Sequence, residues 1–138
     1  METKVGVYIC KGCDIGNSLD IEKLSEVAGE TEAVLCKSHG ILCSGEGIEL
    51  IKSDLEGEGI NRVVVAACSQ RVFPELFDFG REVMTERANL REQVAWSHTP
   101  NDEDTQMLGE DQIRVAVART RTMEPPEPMI EETSKVCW

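Results

Sequence analysis

Between Arg62 and Cys68 the chain runs Val63-Val-Val-Ala-Ala67, with no polar residue alternating among the apolar ones. A strand with one face in water alternates apolar and polar side chains. An uninterrupted apolar run marks a strand buried on both faces, as in a parallel sheet covered by helices. Parallel strands also require long crossovers, usually helical. The rest of the chain supplies them. Val5-Gly-Val-Tyr-Ile-Cys10 reads as a first strand, and a helix starting at Asp20 places Ile21, Leu24 and Val27 on one face. Glu32 to Cys36 reads as a second short strand and Lys37 to Cys43 as a loop. Ser44 can cap a helix carrying Ile48, Ile51 and Leu55, which Gly57 and Gly59 stop. Pro74 starts a short helix with Leu76, Phe77 and Phe79, Val83 to Ala88 suits an edge strand, and Asn89 to His98 has helical spacing in Leu90, Val94 and Ala95. A last helix is expected with Thr99 as cap and Pro100 in first position. Asp102, Glu103 and Asp104 then favour its positive end, and Arg114, Arg119 and Arg121 lie toward its negative end. The expected fold is α/β: a single three-layer domain over residues 1–123, with a mostly parallel sheet of about four strands and helices on both faces. Glu124-Pro-Pro-Glu-Pro128 cannot continue a helix, so 124–138 reads as a Pro-rich linker or tail.

This strand order places the cysteines. Cys10 ends the first expected strand, Cys13 lies in the loop after it, Cys36 ends the second, Cys43 precedes a helix, and Cys68 ends the third strand. In a parallel sheet all carboxyl strand ends share one edge, where ligands bind. Residues scattered along the sequence should therefore converge in space. The longest apolar run is too short to cross a bilayer and no segment resembles a signal peptide, so a cytoplasmic, reducing setting is expected. Six cysteines in such a setting read as metal ligands or redox groups rather than disulfides. The net charge of −12 repels nucleic acid and anionic lipid, so neither nucleic-acid binding nor direct membrane insertion is expected.

Iron–sulfur clusters and zinc both take thiolates, usually four. Cys10 and Cys13 form a C-x-x-C pair, and the following gaps of 22, 6 and 24 residues match neither a ferredoxin run nor a zinc ribbon. Three readings follow: an iron–sulfur electron-transfer domain, a structural zinc domain that docks partner proteins, or a thiol or persulfide carrier using Cys10 and Cys13. The bland reading, buried cysteines acting as small hydrophobes, fits one cysteine better than five at one edge. His39, between Cys36 and Cys43, could be a ligand but reads better as a loop histidine. His98 reads as structural, and Arg71 reads equally as a neighbour of the site or a surface residue. Cys137 lies past the prolines and is left out of the site. Ser44-Gly-Glu-Gly47 lacks the third glycine of a dinucleotide fingerprint and reads as a helix start.

Several segments carry a family likeness. Val5-Gly-Val-Tyr-Ile-Cys10, Leu42-Cys-Ser44, Val63-Val-Val-Ala-Ala-Cys-Ser69, Ala88-Asn-Leu-Arg-Glu-Gln93 and Ile113-Arg-Val-Ala-Val-Ala-Arg119 resemble the amino-terminal domain of heterodisulfide reductase A-like proteins. Within that family the Cys10-Lys-Gly-Cys13 form and Pro100-Asn-Asp-Glu-Asp-Thr-Gln106 are most like the B component of the quinone-interacting membrane-bound oxidoreductase complex. The resemblance implies a 4Fe-4S cluster that passes electrons to or from FAD on a downstream domain, within a larger membrane-associated redox complex. It implies Cys10, Cys13, Cys43 and Cys68 as ligands. Cys10, Cys43 and Cys68 match the family pattern, whereas that pattern has its second cysteine where this chain has Gly12, so Cys36 or a residue of another domain could replace Cys13. The FAD fingerprint should begin just after Lys135-Val136 and the chain ends at Trp138. The flavin domain is thus expected to be missing downstream, and the domain is expected not to be catalytic alone. Its implied partners are the flavin domain of the full-length chain and other redox subunits.

Overall fold

A computed structural model describes residues 3–124, 127, 130 and 131. It contains a four-stranded, all-parallel sheet in the order β2-β1-β3-β4, built from β1 (Val5–Cys10), β2 (Leu35–His39), β3 (Arg62–Ala67) and β4 (Met84–Asn89). The helices are α1 (Ile15–Ser18), α2 (Ile21–Glu30), α3 (Gly45–Gly57) and α4 (Glu103–Thr122). A 3₁₀ turn spans Pro74–Phe77 and a π turn spans Arg91–Ala95. The expected α/β domain with helices on both faces is what forms. The linker expected over 124–138 falls mostly outside the described residues, as does Cys137. Among the described residues no helix is long and apolar enough to cross a membrane.

The sheet register fixes which side chain meets which helix, because neighbours along a strand point to opposite faces. Val7 pairs with Cys36 and Val64, and this face is covered by α2 and α4. Tyr8 pairs with Lys37 and Val65 on the other face, covered by α3. There the Tyr8 hydroxyl donates to Asp54 Oδ2 at 2.9 Å, and Lys37 Nζ donates to Asp54 Oδ1 at 2.8 Å. The core is aliphatic: Val5, Val7, Ile9, Leu24, Ile51, Val63, Val64, Val65, Leu90 and Ile113 are all buried.

Four sequence expectations need correction. The second strand lies at Leu35–His39 rather than Glu32–Cys36, so Cys36 sits inside it and not at its end. Polar Lys37, Ser38 and His39 disguise it; an edge strand tolerates them, and Lys37 finds Asp54. The glycine-rich stretch after β1 contains α1. The helix expected across Asn89–His98 is a single π turn, closed by Ala95 N–H to Leu90 O at 2.8 Å and Trp96 N–H to Arg91 O at 2.7 Å. Finally, α4 is capped by Asp102 rather than Thr99: its carboxylate accepts from Asp104 N–H at 2.9 Å, and Asn101 just before it is left-handed, with φ 58°. The helix therefore cannot begin at Pro100. At the far end of α4, buried Arg62 donates from Nε to Thr120 O at 3.1 Å and from Nη2 to Met123 O at 2.8 Å. This clamp satisfies carbonyls that a helix end leaves open.

A buried phenol and a half-buried thiol give the fold a pH dependence. Burial pushes the Tyr8 phenol well above its ordinary 10.0, aided by its hydrogen bond to Asp54 and that carboxylate's charge. Burial likewise raises the Cys36 thiol above 9.0, against a smaller pull from the Ser25 hydroxyl. In alkali the unfolded chain loses these protons first while the folded chain keeps them, so folding stability falls as pH rises. In metal-free protein the urea midpoint is expected to decline steadily from pH 9 to 11. A midpoint that stays level there would contradict these burial effects.

Candidate metal centre

The carboxyl ends of β1 and β3 open onto one cleft. Cys10 is the last residue of β1 and Cys68 follows the last residue of β3; both are buried. Cys13 and Cys43 come from the loops after β1 and β2 and are exposed. All four line a single cavity of about 260 Å³, walled by Ile15, Ile41, Leu42, Val72, Phe73 and Phe77. Four thiols carried by three separate segments of the chain thus line one largely apolar cavity.

Close backbone packing places the two exposed cysteines. A Cβ on Gly12 would lie 2.7 Å from Gly40 O, so only glycine lets the loop before Cys13 lie against the loop before Cys43. Cys13 and Asp14 then take left-handed backbone, φ 52° and 69°, as does Phe73 across the cavity, φ 49°. Such conformations cost about 1–2 kcal/mol each outside glycine, and strain of this kind gathers at functional sites. On the other side Gly47, in the first turn of α3, meets the backbone of Leu42, where a Cβ would come within 2.4 Å of the carbonyl oxygen. Ser44 caps α3, accepting from Gly47 N–H at 3.2 Å. Cys43 therefore stands at the positive end of that helix, which favours negative charge.

Cys36 is not part of this group. It pairs with Val7, whereas Cys10 pairs with His39, so Cys36 lies on the opposite face of the sheet from Cys10, against α2. His39 ends β2, and its Nδ1 accepts from Ile41 N–H at 3.0 Å. Neither Cys36 nor His39 lines the cavity, and nor does Arg71.

Two arginines that sequence reasoning missed do reach the sulfurs. Arg87, on β4, donates from Nη2 to Cys68 Sγ at 3.1 Å. Arg91, in the π turn, donates from Nη1 to Cys13 Sγ at 3.4 Å. Burial pushes the Cys68 thiol up, while the charges of Arg87 and Arg91 pull it back. The available signal was a parity argument: Arg87 pairs with Val65, which shares a face with Tyr8, the face of Cys10.

The donor chemistry suits an iron–sulfur centre. Four thiols are the usual complement, the cavity is wider than one ion, and two guanidiniums offset negative charge. Among the described residues no three His, Cys, Asp or Glu side chains converge tightly enough to hold one metal ion.

Fold and site together define a parallel α/β domain bearing a cysteine-lined cavity at its carboxyl edge. No family model matches the chain. Curated relatives do match it, and they are named as the A component of heterodisulfide reductases. The chain is 38% identical over 134 residues to the A component of the H2:CoB-CoM heterodisulfide,ferredoxin reductase of Methanothermobacter marburgensis, covering 91% of this chain and 20% of that protein. It is 37% identical over 145 residues to the heterodisulfide reductase A-like protein of Archaeoglobus profundus, covering 98% of this chain and 20% of that protein. It is 34% identical over 134 residues to the second iron-sulfur A component of the CoB–CoM heterodisulfide reductase of Methanopyrus kandleri, covering 91% of this chain and 20% of that protein. The chain thus spans about a fifth of the length of these relatives.

Proposed function

We propose that the chain is the iron–sulfur electron-transfer domain of a heterodisulfide reductase A-like flavoprotein, with Cys10, Cys13, Cys43 and Cys68 as ligands of a 4Fe-4S cluster. The observation that carries this reading is the common cavity lined by these four cysteines and not by Cys36. The word "iron-sulfur" in the names of two relatives supports it. The cluster would supply one-electron transfer. The chain's own residues place the thiols, wall the cavity with buried Leu42 and Phe77, and offset charge with Arg87 and Arg91.

On this reading residues 1–123 are the relay and 124–138 lead to an FAD domain that receives or delivers the electrons. The protein works in the cytoplasm, with further redox subunits of a membrane-associated complex. The Cys10-Lys-Gly-Cys13 and Pro100–Gln106 segments favour the B-component type of the quinone-interacting complex.

Iron and acid-labile sulfide in anaerobically purified protein are the test. Brown protein with both, whose bleaching by dithionite is reversed by the oxidised FAD domain, is expected. Colourless protein with bound zinc would instead make the domain a docking module.

A further inference from the structure

Resting on the iron–sulfur reading, we propose that Arg87 and Arg91 set the potential of the centre by donating N–H···S hydrogen bonds to Cys68 and Cys13. Reduction adds one electron, and so one negative charge, to the centre without breaking a bond. Positive charge and hydrogen bonds at the sulfurs favour that added charge and raise the potential. The chain as a whole, at −12, works in the other direction. The arginine pair opposes that effect at the sulfurs.

The two guanidiniums are built into place rather than left on flexible stems. Arg87 Nη1 donates to Val72 O at 3.1 Å, and Nη2 donates to Ser69 O at 3.0 Å while reaching Cys68 Sγ. Its guanidinium lies 4.5 Å from the centre of the Phe77 ring, a wall of the cavity. Arg91 is paired with Glu92, and its guanidinium stacks 4.4 Å from the centre of the Trp96 ring. Trp96 Nε1 in turn donates to Cys13 O at 3.1 Å, and Glu92 Oε2 accepts from Ser69 N–H at 2.6 Å. Each arginine is thus tied both to the loop that carries its sulfur and to an aromatic ring that fixes its plane. Arg91 also lines the cavity itself. A guanidinium held this way delivers a directed donor, which the point charge of lysine does not reproduce.

The roles divide by position. Arg87 braces the Cys68–Val72 loop through three carbonyls, so its removal also loosens that loop. Arg91 is anchored mainly to side chains and is the cleaner variant to test. The experiment compares the anaerobically reconstituted chain with Arg91→Gln and Arg91→Lys. It measures iron and sulfide per chain, far-UV circular dichroism, and the midpoint potential by EPR-monitored titration with dithionite. The expected result is an intact fold, iron per chain at or below that of the unsubstituted protein, and a midpoint shifted negative in Arg91→Gln and by less in Arg91→Lys. Loss of iron in Arg91→Gln with retention and a small negative shift in Arg91→Lys also supports the role, because charge at Cys13 then matters twice. Equal midpoints in all three proteins overturn it, as does loss of iron from both variants with the fold intact. Absence of iron and sulfide from the unsubstituted chain speaks instead against the iron–sulfur reading.

Discussion

On the iron–sulfur reading, serine in place of Cys68 or Cys43 is expected to abolish iron binding, while serine in place of Cys36 preserves it. Cys68 and Cys43 line the shared cavity and come from different loops, and among the described residues the only other thiols lining it are Cys10 and Cys13, themselves proposed ligands. Even outer partners of a metal ligand carry a 10–100-fold effect on affinity, so loss of a ligand itself should weaken binding by more than about tenfold. Cys36 is half-buried on the opposite face of the sheet, and its replacement should act only on stability. The measurement is iron and sulfide per chain after anaerobic purification, set beside circular dichroism to show that each variant folds. Equal iron loss in Cys36→Ser and Cys68→Ser would place the centre elsewhere.

Alanine at Gly47 is the second change expected to have a large effect. Its methyl would lie 2.4, 2.6 and 2.7 Å from the oxygen, Cα and carbonyl carbon of Leu42, all backbone atoms that cannot rotate away. Either α3 or the Leu42–Cys43 loop must move. Overpacking of this kind costs roughly 1–3 kcal/mol and occasionally more, and each kcal/mol is worth several degrees of melting temperature in a domain of this size. Cys43 sits between the two and moves relative to the cavity whichever gives way, so iron binding should fall as well. Gly57→Ala is the control, since a Cβ there meets nothing within 4 Å. A Gly47→Ala protein that melts within a degree of the unsubstituted chain would show that the contact relaxes freely.

The strands that the sequence reveals best are those buried on both faces. Val5–Cys10 and Arg62–Ala67 are apolar enough to betray their position, and with them the shared edge of Cys10 and Cys68. The edge strand Leu35–His39 was misplaced by three residues because its polar side chains need no core, only Asp54 and solvent. That shift matters out of proportion to its size. Strand faces alternate, so a wrong boundary put Cys36 at the edge with the other cysteines. Arg87 and Arg91 are not legible without the strand order and register. Nothing local marks a residue on a fourth strand as the partner of a sulfur after the third; only the strand order β1-β3-β4 brings them together.

The Arg62 clamp has a consequence for how the domain is tethered. Arg62 opens β3, so Met123 is held at the amino edge of the sheet, whereas the cysteines open at the carboxyl edge. Six residues of strand separate the two ends, about 20 Å at ~3.3 Å per residue. Polypeptide leaving Met123 starts on the far side of the domain from the thiols. Among the described residues the chain thus leaves the sheet at the edge opposite the thiols, and the clamp on Met123 and the mouth of the cavity do not compete for the same space.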